Sequence, residues 1–97
     1  ITTRRGGVFT AIATARSKDA LADTKYYAVA VYVDGAAIAD YTHVAPAVQV
    51  VPSTAIATAY SAIAGKYFQL YYRSEDGSVG ARGNNTYLTS LSVVEIL

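Results

Sequence analysis

The chain has a single histidine, His43 in "DYTHVAP", and no cysteine. Transition-metal sites draw on several imidazole or thiolate ligands, so one His43 cannot build such a site unaided. Threefold symmetry could bring three copies of it together, but an exposed or capped loop histidine is the plainer reading. No serine stands in a Gly-x-Ser-x-Gly nucleophile elbow. Glu75 and Asp76 are adjacent carboxylates. Neighbours on a strand point to opposite faces, which makes them poor partners in acid–base chemistry. In a loop they could contribute to a calcium site, which needs several oxygen ligands; a solvated turn explains them as well. Asn84-Asn85-Thr86 matches the N-glycosylation acceptor pattern. Catalysis needs a poised acid, base, nucleophile or metal. These residues lead to the expectation of a protein that is not an enzyme, with no catalytic residues, no metal and no cofactor.

Tyrosine carries more information. There are nine tyrosines and no tryptophan in 97 residues. A small core cannot hold nine phenols, because each buried hydroxyl needs a partner. In "KYFQLYYR" a strand would place Tyr67, Gln69, Tyr71 and Arg73 on one face and Phe68, Leu70 and Tyr72 on the other. The first face has binding chemistry: rings that stack on sugar or peptide, with amide and guanidinium donors beside them. Together with Glu75, Asp76, Asn84 and Asn85 of the following loop, it is the candidate ligand or receptor surface. The same rings would serve equally as a lateral contact between subunits. The second face reads as core or interface.

Strands must position these residues. Eighteen alanines suggest helix, but their spacing has a period of two. In "VFTAIATA", Val8, Thr10, Ile12 and Thr14 alternate with Phe9, Ala11, Ala13 and Ala15. In "YYAVAVYV", Tyr27, Val29, Val31 and Val33 alternate with Tyr26, Ala28, Ala30 and Tyr32. In "STAIATAYSAIA", Thr54, Ile56, Thr58 and Tyr60 alternate with Ala55, Ala57 and Ala59. β-Branched residues recurring on one parity indicate strands. The alanine parity admits a close neighbour, whether a second sheet, another subunit or an aromatic ring; the alternation leaves open which parity faces the core. "VDG" (33–35) reads as a tight hairpin. "APAVQVVPS" carries Pro46 and Pro52 and belongs at an edge or in a loop. "SKDALADTK" (17–25) is the only plausible helical turn but reads better as a surface loop, and "SEDGSVGARGNN" (74–85) reads as a long polar connection. The expected strands lie near 1–3, 7–16, 26–34, 36–42, 47–60, 66–73 and 86–97. Strands at this spacing, without a helical pattern, predict an all-β fold, an antiparallel β-sandwich.

Length predicts one domain spanning 1–97. A domain of this size hides about 60–65% of its unfolded surface. Yet 53% of the residues are hydrophobic and only 15% charged, with a mean hydropathy of +0.25. Such a balance favours an oligomer or an adhesive surface, although alanine accounts for much of the excess. Net charge is +1 and the basic residues are scattered, with only Arg4 and Arg5 adjacent. Nucleic acid is therefore not an expected partner. The run "YYAVAVYV" is far shorter than a membrane span, so insertion is not expected. The chain begins with Ile rather than Met and reads as a fragment or processed product.

Four stretches, taken in order, resemble the jelly roll of the tumour-necrosis-factor superfamily, which includes the globular heads of complement collagen-like proteins and the tips of bacterial spore filaments. "GGVF" (6–9) is similar to that family's Gly-x-aromatic opening of a central strand. "VAVYVDGAAIA" (29–39) is similar to its strand–turn–strand. "AGKYFQLYY" (64–72) is similar to the start of its penultimate strand, with Lys66 where an aspartate is usual. "NTYLTSLSVVEIL" (85–97) resembles its final strand. Family members carry further strands ahead of the "GVF" strand, where this chain has only "ITTRR"; the resemblance therefore implies a sandwich reduced at the N-terminus, or one whose missing edge comes from upstream strands or from another subunit.

The resemblance implies a jelly roll, a homotrimer and a last strand buried between the core and a partner. Tyr32, Phe68, Tyr72, Tyr87, Leu91 and Val93 are the expected trimer contacts. It also implies a setting: the C-terminal head of a fibrous viral protein such as a phage tail fibre, spike or needle. The head would be located on the virion or outside the cell, with a host surface glycan or protein as partner. The alternatives are a monomeric carbohydrate-binding module and a ligand-free cap on a stalk.

Overall fold

The structure, a computed structural model, describes residues 1–17, 20–21, 25–50, 52–75 and 89–96. It is all-β. Among the described residues, six strands form two antiparallel three-stranded sheets packed face to face, a small β-sandwich. The strands are β1 (Gly7–Arg16), β2 (Tyr26–Val33), β3 (Ala36–Val44), β4 (Pro52–Ala62), β5 (Phe68–Ser74) and β6 (Ser90–Ile96). One sheet has the order β4-β1-β6 and the other β3-β2-β5.

The alternation resolves into a core with unequal sides. From the first sheet, Phe9, Ala11, Ala13, Ala15, Ala55, Ala57 and Ala62 point inward. From the second come Tyr27, Val29, Val31, Val33 and Phe68. Small methyl groups on one sheet thus face larger side chains on the other, filling the space between sheets whose backbones lie about 10 Å apart. Phe68 is the aromatic centre. Its ring lies 6.0 Å from both Phe9 and Tyr60, tilted against the first and edge-on to the second. Ser53 on β4 donates a buried 2.9 Å hydrogen bond to the backbone carbonyl of Tyr27 on β2 and so links the two sheets.

Two irregularities redirect side chains. On β4 the pairing with β1 slips between Phe9↔Tyr60 and Ala11↔Ala57, which leaves an extra residue on β4. Ala59 lies in the left-handed region, with φ 54°. This bulge reverses the parity of the strand. Tyr60 was expected to share a face with Thr54, Ile56 and Thr58; instead it turns inward against Phe68. On β3 the slip falls between Val31↔Ala39 and Tyr32↔Ala37, so Ile38 and Ala39 both pack against the core.

The β2–β3 hairpin turns at Asp34 and Gly35, both at positive φ, as a tight two-residue loop requires. Asp34 also anchors the start of β5. Its Oδ1 accepts from the Tyr67 backbone N–H at 2.9 Å, and its Oδ2 lies 3.1 Å from Lys66 Nζ. The backbone N–H bond first, and then Lys66, hold the Asp34 carboxyl below the usual carboxylate range.

Several boundaries differ from expectation. The first expected strand is reduced to a bridge between Thr2 and Tyr67, with reciprocal backbone bonds between Ile1 and Phe68. The 47–60 strand begins only at Pro52, on an edge strand, where the missing N–H costs no ladder bond. Within the expected surface loop 17–25, Ser17 and Leu21 are fully buried, and Leu21 pairs with Gln49. Most of the 74–85 connection lies outside the described residues.

Candidate binding site

The outward parity of β2 is Tyr26, Ala28, Ala30 and Tyr32. Strand register builds a site around it. Ala30 lies between Asp40 on β3 and Tyr71 on β5. Ala28 lies between Thr42 on β3 and Arg73 on β5. The two alanines project only methyl groups, while residues on the flanking strands rise beside them. The result is a trough of about 590 Å³ on the outside of the β3-β2-β5 sheet. Tyr32 and Tyr71 meet edge-on at one end, with ring centroids 4.4 Å apart. Tyr26 lines the trough on the opposite side of Ala28.

The polar groups of the trough are separated by sign. Asp40 stands on one outer strand and Arg73 on the other, and neither belongs to an ion pair among the described residues. Strands two places apart in a sheet lie roughly 9.6 Å from each other. A carboxylate and a guanidinium are thus held apart across an apolar floor. Gln69 supports the wall by accepting a 3.5 Å hydrogen bond from the Tyr71 hydroxyl.

A second surface lies on the back of the other sheet. Val8, Ile12, Ile56, Val94 and Ile96 point away from the sandwich on β1, β4 and β6, interspersed with threonine and serine. Ile56 is 54% exposed and Val94 58%.

The structure divides the residues singled out from sequence. Tyr71 and Arg73 line the trough, but Tyr67 stands at the far end, beside the β2–β3 hairpin. Glu75 pairs with Lys25 at 3.4 Å. Asp76, Asn84, Asn85 and Tyr87 lie outside the described residues.

The residues expected at a trimer interface also separate. Phe68 is fully buried within the chain, and Leu91 and Val93 pack half-buried against the same core. Packing within one chain fully covers Phe68, while Leu91 and Val93 keep part of their surface exposed. Tyr72 stacks on Tyr27, with centroids 5.9 Å apart and planes at 15°. Tyr32 lines the trough. The last strand is covered on its inner face, while Val94 and Ile96 stand exposed on the outer one.

Sequence reasoning missed Ala28, Ala30, Asp40 and Thr42. The available signal was alanine alternating between tyrosines in "YYAVAVYV". His43 is half-buried on β3, edge-on to Tyr41 at 6.4 Å. Among the described residues, no three of His, Cys, Asp or Glu gather where they could hold a metal. No protein-family model matches the chain, and neither a curated protein nor a solved structure matches it.

Proposed function

We propose that the chain is a non-enzymatic homotrimeric head domain of a fibrous viral protein, of the kind that ends a phage tail fibre, spike or needle. It holds three chains in register and contacts a receptor on the host surface. The observation that carries this reading is the apolar outer face of the β4-β1-β6 sheet. Val8, Ile12, Ile56, Val94 and Ile96 stand exposed on one face, with Val8 paired to Ile96 and Ile12 to Ile56 across neighbouring strands, and exposed apolar clusters of this kind mark an interface. A sheet face whose backbone is already ordered in the single chain suits self-association, because the backbone ordering cost is not added on assembly.

The connectivity supports a jelly-roll relationship. β1, β4 and β6 lie in one sheet and β2, β3 and β5 in the other, so among the described strands only β2 and β3 are consecutive neighbours within one sheet. The threefold order and the viral setting rest on the resemblance of the four ordered motifs. The trough, on the opposite side of the sandwich from the apolar face, is the receptor surface in this reading. A monomeric carbohydrate-binding module is the second reading, and the trough favours it, since that reading needs no partner chain.

Mass in solution, combined with adhesion to host cells, tests the proposal. A trimeric chain that decorates cells supports it. A monomer that binds free sugar supports the module instead.

A further inference from the structure

We infer that the trough on the β3-β2-β5 sheet binds a single carboxylate-bearing pyranose, a uronic or sialic type of sugar, as the terminal unit of a surface glycan. This names the ligand class of the receptor site and rests on the binding-head reading for its biological setting. Four observations converge on that class.

The floor is made of the Ala28 and Ala30 methyl groups, so a ring can lie on the sheet itself. The walls are tyrosines; Tyr32 and Tyr71 fix one another edge-on at 4.4 Å and offer apolar ring surface to the C–H face of a sugar. Arg73 presents a planar fork of donors that matches a carboxylate bidentately, and no ion pair among the described residues occupies it. Asp40, on the other outer strand, accepts hydrogen bonds from hydroxyls and repels an anion.

The ligand must therefore carry its negative charge at the β5 side and hydroxyls at the β3 side. The spacing of roughly 9.6 Å between those strands leaves room for one six-membered ring with an exocyclic carboxylate. A neutral sugar would leave the guanidinium unmatched, and a ligand with two anionic groups would meet Asp40.

The test is an NMR titration of the ¹⁵N-labelled chain with sodium glucuronate, with glucose at matched ionic strength as the comparison. Glucuronate is expected to shift the amides of Ala28, Ala30, Tyr71 and Arg73, and to bind at least tenfold more tightly than glucose. Arg73→Gln should remove that preference while leaving the spectrum of the fold intact. Ala30→Leu should abolish binding of both sugars by filling the floor without altering charge. Equal response to glucuronate and glucose would overturn the inference. So would shifts that persist unchanged in Arg73→Gln or in Ala30→Leu. Light scattering on the same sample separates this result from the head reading. A trimer indifferent to glucuronate retires the ligand class alone, whereas a glucuronate-binding monomer retires the trimeric head alone.

Discussion

Val8 on β1 and Ile96 on β6 are direct cross-strand partners, and both point away from the sandwich. They are close enough for their side chains to form one apolar surface. Val94 lies on the same outward face of β6, opposite Thr10. If this surface holds three chains together, polar substitution there weakens assembly without unfolding the chain. Each side chain, when covered, contributes on the order of 1 kcal/mol at a contact. The double variant Val94→Asn, Ile96→Asn should shift the mass in solution towards a single chain, with the far-ultraviolet circular dichroism of the strands retained. An unchanged mass would remove this face from the interface.

Phe68 bridges the two sheets between Phe9 and Tyr60. Truncation leaves a cavity that the flanking rings cannot refill. Phe68→Ala should cost about 3–5 kcal/mol, a large part of the stability of any small domain. Chemical denaturation should show a much lower midpoint, with Phe68→Leu falling in between. A midpoint within experimental error of the parent chain would mean that Phe68 is not the centre of the core.

Tyr27 is fully buried, and its hydroxyl has no hydrogen-bond partner among the described residues. Burial first, and then Tyr72, push its pKa from 10.0 up to about 12. The folded state therefore keeps the proton more tightly than the unfolded chain. The associated stability is fully present below pH 10 and is lost as pH rises through about 12. Tyr27→Phe removes an unsatisfied donor and should raise stability at neutral pH by about 1 kcal/mol. It should also flatten the alkaline decline. Denaturation midpoints of both chains across pH 8 to 12 would test the two effects together.

Ala59 occupies a left-handed conformation that costs a residue with a Cβ about 1–2 kcal/mol. Glycine adopts it freely but gives the unfolded chain more freedom, so part of the gain is lost. Ala59→Gly should raise stability by roughly 0.5–1 kcal/mol, measured by thermal unfolding. A lowered melting temperature would mean that the bulge is not strained.

Local chemistry made some of this architecture legible in the sequence. "GVFTAIATAR" alternates without interruption and forms β1 with the expected ends. Asp34-Gly35 names its own turn, because few other pairs accept two positive φ values. The orientation of the faces was not legible. Alanine faces the core on β1 and β4 but lines an outer trough on β2. The same local pattern takes opposite orientations, because the opposing sheet decides which parity is covered. The β4 bulge was hidden for a similar reason: "STAIATAY" reads as one unbroken alternation, and no glycine marks Ala59. Asp40 and Thr42 join the site only through register with Ala30 and Ala28, which is a property of strand pairing rather than of neighbours in sequence.

The mass of the chain in solution, measured by light scattering at micromolar concentration, tests the central claim most directly. The account predicts three times the 10.2 kDa of one chain. A monodisperse species of one chain mass would contradict it, and would mean that Val8, Ile12, Ile56, Val94 and Ile96 are exposed to solvent rather than joined to copies of themselves.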